Sequence, residues 1–189
     1  MKFLEKRTPL PGAKELETML PDRLTNHKRL QKWIDLHQYK QVIIDCQRII
    51  QLRKESPLIY YYKGLGYLGL KECRKAIENL TKAIEIKSEY APAYKKRGQT
   101  YALLGENDLA VSDFTSAINI NYRDAEAYLY RGLLYHTEKK YELAFADYEN
   151  TLVLDSQNKI AHLNRSIVMR ILEKQLSFSD LAMLNQILK

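Results

Sequence analysis

The sequence predicts an all-α fold, an α-solenoid of stacked antiparallel helix-turn-helix hairpins, and three observations lead there. First, Tyr60, Gly64, Tyr67, Ala76, Leu80 and Ala83 recur, in type or in size, at Tyr94, Gly98, Tyr101, Ala110, Phe114 and Ala117, and again at Tyr128, Gly132, Tyr135, Ala144, Tyr148 and Thr151. The step is 34 residues each time and no insertion interrupts it. A fixed period of about 20 to 50 residues marks units that must stack to bury their apolar faces. Second, each period carries large, tiny and large residues at helical spacing and then small, large and small ones, which is one helix face followed by another. Third, breaks fall between the two faces, at 70–72, 105–107 and 138–140, of which Gly105-Glu106-Asn107 is the clearest.

Taken in order, residues 1–22 hold Pro9, Pro11, Gly12 and Pro21, which leave room for only a short helix around 13–20. This stretch is an N-terminal extension. Its Phe3, Leu4, Leu10, Leu16, Met19 and Leu20 predict that part of it docks on the solenoid or occupies its groove. Residues 23–56 keep the register with eroded chemistry: Trp33, Val42, Cys46 and Ile49 stand where Tyr67, Ala76, Leu80 and Ala83 stand one period later. A degenerate first hairpin is expected, with helices near 22–37 and 39–52. Leu30 holds the glycine position, which predicts a looser helix contact there. Three full units follow at 57–90, 91–124 and 125–158. In each, glycine lets two helices approach where one contributes no side chain, and Pro57 and Pro92 fall in a first helical turn, where a missing N–H costs little. A fifth unit, 159–189, begins in register with His162, Ser166 and Met169 and then departs. Phe178 takes a small-residue site, and Ser179-Asp180 reads as a fresh helix start in a degenerate, capping unit.

This pattern resembles the tetratricopeptide repeat (TPR), whose 34-residue unit runs aromatic, Leu-Gly, Tyr, then Ala, Phe, Ala and a late Pro. Two departures stand out. Lys63, Arg97 or Arg131 precedes the glycine in place of Leu, a position where an aliphatic stem packs while the charged head reaches water. Ser88, Tyr122 and Ser156 replace the late proline. The resemblance implies a right-handed superhelix and a concave surface that holds a partner's peptide.

Composition narrows the function. The chain is 46% apolar and 28% charged, and it lacks the apolar run of a signal peptide or membrane span, so a cytoplasmic protein is expected. Cys46 falls at a core site of its repeat and Cys73 begins a helix, with a disulfide as the weaker alternative. The net charge of +7 is N-terminal: residues 1–56 carry 12 Lys and Arg against 7 Asp and Glu, residues 57–124 carry 10 against 8, and residues 125–189 carry 8 against 8. The bases are interspersed with acids, as on a solvated face, and a nucleic-acid surface on this basic third is the alternative reading. His27, His37, His136 and His162 form no metal spacing, and Gly64, Gly66 and Gly69 are not a phosphate loop. Hence no catalytic residue, metal or cofactor is expected. The six tyrosines at 60, 67, 94, 101, 128 and 135 are read as core.

The remaining face of each first helix is where binding is expected. At about 100° per residue it carries Tyr61, Tyr62 and Leu65, then Lys95, Lys96 and Gln99, then Tyr130, Leu133 and His136, then Asn164 and Ile167. A surface helix is not normally apolar on both sides. Part of this stripe packs on the neighbouring unit, and the rest predicts a groove for a partner segment with apolar anchors and an acidic group. One TPR subtype grips a chaperone's C-terminal carboxylates with Lys, Arg and Asn. Laid on Lys95, Gln99, Tyr130, Ile160 and Asn164, it matches in type only at Lys95, so the resemblance does not extend to that clamp.

Overall fold

A computed structural model describes residues 26–52 and 55–187, with side chains placed over 27–52 and 55–174. The expected N-terminal extension, its docking, and a helix start near Asp22 lie outside the described residues. Among the described residues there are nine helices and no strand: α1 (Asn26–Asp35), α2 (Tyr39–Gln51), α3 (Pro57–Gly69), α4 (Cys73–Ile86), α5 (Ala91–Leu103), α6 (Asn107–Ile120), α7 (Ala125–Thr137), α8 (Tyr141–Leu154) and α9 (Lys159–Ile187).

Each hairpin closes on the predicted small-to-large contact. A Cβ placed on Gly98 would stand 3.2 Å from the Ala110 carbonyl oxygen and 3.2 Å from the Phe114 ring, so even a methyl there requires α6 to give by a few tenths of an ångström. Ala76, Leu80, Ala110, Phe114, Ala144 and Tyr148 are fully buried, and Tyr148 also donates a hydrogen bond from its hydroxyl to the Gly132 carbonyl at 3.2 Å. Leu30, at the glycine position of the first hairpin, is fully buried too, in a cluster with Trp33, Val42, Cys46 and Ile49.

The reversals follow the period more closely than the residue types do. His37, Lys71, Gly105 and Lys139, one in each hairpin, all hold a positive φ of 57–75°. At Lys71 the amide donates to the Leu68 carbonyl at 2.9 Å and the Glu72 amide donates to the Tyr67 carbonyl at 2.9 Å. The same pair of bonds recurs at 37–38, 105–106 and 139–140, each satisfying two carbonyls left open by the end of a helix. Ser56 and Asp124 cap α3 and α7 by accepting the amides of Ile59 and Ala127.

Three expectations need correction. The fresh helix start at Ser179-Asp180 does not occur, because α9 runs unbroken for 29 residues and contains neither Gly nor Pro. The six repeat tyrosines are half-buried instead of core. The third correction concerns the residue before the glycine: the charged heads of Arg97 and Arg131 turn into the protein, and their side chains are only 16% exposed. Arg97 donates from Nε and Nη2 to the two carboxylate oxygens of Asp113, both at 2.8 Å, and from Nη1 to Thr81 Oγ1 at 2.8 Å. Arg131 repeats this with Asp147 and Thr115. Asp113 and Asp147 are buried, and the guanidiniums lie against the rings of Tyr94 and Tyr101 and of Tyr128 and Tyr135. A planar, always-charged fork satisfies two acceptors and two aromatic faces at once, which Leu cannot do. Each arginine thus joins three helices: its own, its hairpin partner, and the second helix of the preceding unit.

Candidate partner-binding groove

Successive first helices touch directly, α1 with α3 and α5 with α7, so they form the inner layer of the curve while the second helices lie outside. The expected stripe faces this layer, and the structure separates its members by what already covers them.

At one end, Tyr62 is 2% exposed and donates its hydroxyl to Gln31 Oε1 at 2.8 Å; it stacks edge-on with His27 and Tyr61. Its area is spent joining α3 to α1. Tyr61 meets Tyr90 edge-on at 5.6 Å, and burial, followed by the Tyr90, Tyr62 and Glu126 charges, raises its hydroxyl pKa well above the usual value. Leu65 is half-buried against the first hairpin's cluster.

The centre is a connected polar chain. Lys95 Nζ lies 2.8 Å from Asp124 Oδ2 and 2.7 Å from Glu126 Oε2, and its side chain is 17% exposed. Burial lowers the lysine pKa, but hydrogen bonds to both carboxylates outweigh it and the net shift is upward. Gln99 donates to Glu126 Oε1 at 3.4 Å and accepts from Lys96 at 2.9 Å. Two lysines therefore face two carboxylates. The charge expected to meet an acidic partner group is balanced within the groove at Lys95, whereas Lys96 donates to the amide oxygen of Gln99.

Farther along, Tyr130 stacks on Phe114 with ring centroids 5.6 Å apart and planes 10° apart, leaving its other face half-exposed; burial first, then Glu126, raises its pKa. Leu133 packs on the cluster around Tyr148. His136 turns inside its own hairpin, edge-on to Tyr141 and 3.4 Å from the Tyr148 hydroxyl. Asn164 donates back to the Ile160 carbonyl at 2.9 Å, and Ile167 is 40% exposed on α9.

Sequence reasoning missed Tyr90, Asp124 and Glu126. Their signal was available: Tyr90 and Asp124 stand just before α5 and α7, where capping residues project toward the inner layer, and Glu126 is in the first turn of α7. Among the described residues no group of His, Cys, Asp and Glu could hold a metal, and no helix is long and apolar enough to cross a membrane.

This architecture of inner and outer helices in a repeated hairpin is that of a helical-repeat interaction module, and comparison gives the repeat its family. Residues 91–124 match the family model described as tetratricopeptide repeat. The first TPR of Spaghetti (RPAP3), solved bound to the HSP90 peptide SRMEEVD, is 26% identical, with a TM-score of 0.60 over 62% of this chain and 94% of that one. The Arabidopsis OM64 TPR domain is 29% identical, with a TM-score of 0.58 over 61% and 95%. MamA is 26% identical, with a TM-score of 0.66 over 76% of this chain and 85% of that one. No curated protein sequence matches the chain. Residues 91–124 thus match the tetratricopeptide repeat, and the fold of the chain is that of the tetratricopeptide-repeat structures it resembles.

Proposed function

We propose that the chain is a non-catalytic scaffold that binds an extended segment of a partner protein along its inner layer. The observation that carries this reading is the half-exposed row of Tyr61, Leu65, Lys96, Gln99, Tyr130 and Leu133 on three successive first helices. Tyrosine supplies large contact area at low entropic cost, and partly desolvated aromatic anchors dominate most interfaces. A structural neighbour, the first TPR of RPAP3, holds the peptide SRMEEVD, which supports a peptide ligand for this fold. The groove here differs from a carboxylate clamp because Asp124 and Glu126 already hold Lys95. Apolar side chains of the partner should therefore supply most of the affinity. An acidic group would add to it only through Lys96, as a screened, steering contribution.

A displayed library of random peptides selected on the chain tests this reading. Selected peptides should lose at least about fivefold in affinity, or roughly 1 kcal/mol, on the Tyr130→Ala variant at unchanged helicity. Peptides that bind undiminished to a Tyr61→Ala, Lys96→Glu, Tyr130→Ala triple variant would move the site elsewhere. Binding to single-stranded nucleic acid that weakens steeply with salt would favour the basic N-terminal third instead.

A further inference from the structure

The arginine clasp follows a fixed plan. Arg97 and Arg131 each give Nη1 to a hydroxyl 16 residues earlier, and Nε with Nη2 to the carboxylate of an aspartate 16 residues later, on the second helix of the same hairpin. Arg165, one period on, completes only the first half. Its Nη1 donates to Glu149 Oε1 at 2.7 Å, and among the described residues no side chain accepts from Nε or Nη2. The reason lies in α9, which does not reverse. Position 181, where the next aspartate would fall, is Leu, and the unbroken helix carries its backbone about 24 Å along the axis from Arg165. The face that a second helix covers in the preceding hairpins is therefore bare on α9. His162, Ser166 and Met169 hold the sites of Tyr128, Gly132 and Tyr135 and all three are exposed, whereas Gly132 is buried. Ser166 keeps close approach open, because its hydroxyl turns back to the His162 carbonyl at 2.9 Å. The Arg165 side chain is 35% exposed, against 16% for Arg97 and Arg131.

A half-used guanidinium fork beside a bare helix face specifies what fits there. We propose that α9 docks an amphipathic helix of a partner protein as the second helix of a fifth hairpin, with an acidic residue of that helix closing on Nε and Nη2 of Arg165. The two complete clasps give the rest of the partner's chemistry. In α6 the aspartate is framed by Ala110, Phe114 and Ala117, and in α8 by Ala144, Tyr148 and Thr151. A small residue thus stands three positions before the acid, an aromatic one directly after it, and a small one four positions after. The small residues let the two helices close in. The bidentate arginine–carboxylate pair is a strong and directional contact, so it sets the register of the incoming helix as well as adding affinity. His162, Arg165, Ser166 and Met169 lie outside the inner row of the proposed groove, and the docking stands whether or not that groove takes a peptide.

The probe is a labelled, side-chain-stapled peptide with the sequence of α6, residues 107–120, titrated against the full chain by fluorescence anisotropy. It should bind saturably, and its Asp113→Asn version should bind at least about fivefold more weakly. On the Arg165→Met protein the two peptides should bind alike, while Tyr130→Ala, in the groove, should leave both affinities unchanged. No saturation up to about 1 mM peptide, a preference for Asp that survives Arg165→Met, or binding lost on Tyr130→Ala would each overturn the docking. Two further results would assign the face to this chain itself and overturn it equally. One is a dimer in sedimentation velocity that Arg165→Met dissociates. The other is peptide binding that appears only once Leu16→Ser and Leu20→Ser are introduced into the full chain.

Discussion

At the residue scale, the arginine before Gly98 and before Gly132 is where a charge replaces an apolar side chain with its head largely buried. Asp147→Ala should cost about 3 kcal/mol, because it leaves a largely buried guanidinium without its carboxylate. Replacing both partners, by Arg131→Met with Asp147→Leu, should cost much less; urea midpoints for the three proteins decide it. Sequence spacing revealed that a basic residue precedes the glycine but not where its head goes. The acceptors lie 16 residues away on two different helices, and only the packed hairpins bring them together. Burial also leaves a pH signature. Desolvation, then the neighbouring Asp45 charge, pushes the Cys46 thiol from 9.0 up to about 12, and desolvation followed by Asp147 pushes Tyr148 from 10.0 up to about 12. For both acids the unfolded chain releases its proton at lower pH than the folded one, so the unfolded state binds fewer protons and stability falls as pH rises. The thermal midpoint should hold steady up to about pH 9 and decline from there toward pH 12.

At the element scale, the hairpin contacts and the turns were legible and the turn chemistry was not. Only Gly105 signals a left-handed residue, while His37, Lys71 and Lys139 take the same conformation at a cost of about 1 kcal/mol each. Lys139→Gly should therefore raise stability by up to about 1 kcal/mol in chemical denaturation, without a change in helicity. Gly98→Leu acts in the opposite direction. Its side chain would enter the space held by Ala110, Asp113 and Phe114, and a loss of roughly 1 to 3 kcal/mol or more is expected from the same measurement. The long α9 was illegible for a related reason: Ser179-Asp180 is a good helix start in isolation, but nothing before it stops the helix already running. The groove shows the same division. Its aromatic anchors follow the repeat, whereas the pairing of Lys95 depends on Asp124 and Glu126, residues 29 and 31 positions away.

At the scale of the whole molecule, the clasps divide the stack unevenly. Arg29 pairs with Asp45, Arg97 and Arg131 make full clasps, and Arg165 keeps only the contact to the preceding unit, through Glu149 at 2.7 Å. The second unit has Lys63 and Asn79 at the clasp positions, with Gln47 where Thr81 stands one period later. Lys63→Arg, Asn79→Asp and Gln47→Thr together should supply the missing clasp and add about 1 kcal/mol or more. In native-state hydrogen exchange, the amides of α1 and α2 should slow relative to those of α7 and α8.

Because each full clasp takes its hydroxyl from 16 residues before the arginine and its carboxylate from 16 residues after, every one is written across a unit boundary. Duplicating residues 91–124 in place would give the new arginine Thr115 behind it and its own copied aspartate ahead. The lengthened protein would be clasped throughout at the new seam, with no clasp arginine left seeking a partner, while Lys95 of the first copy would keep Asp124 and meet Pro92 in place of Glu126. A gene built this way can grow by slippage of one whole period without passing through an ill-fitting intermediate, while any slip of a different length would strand a buried charge.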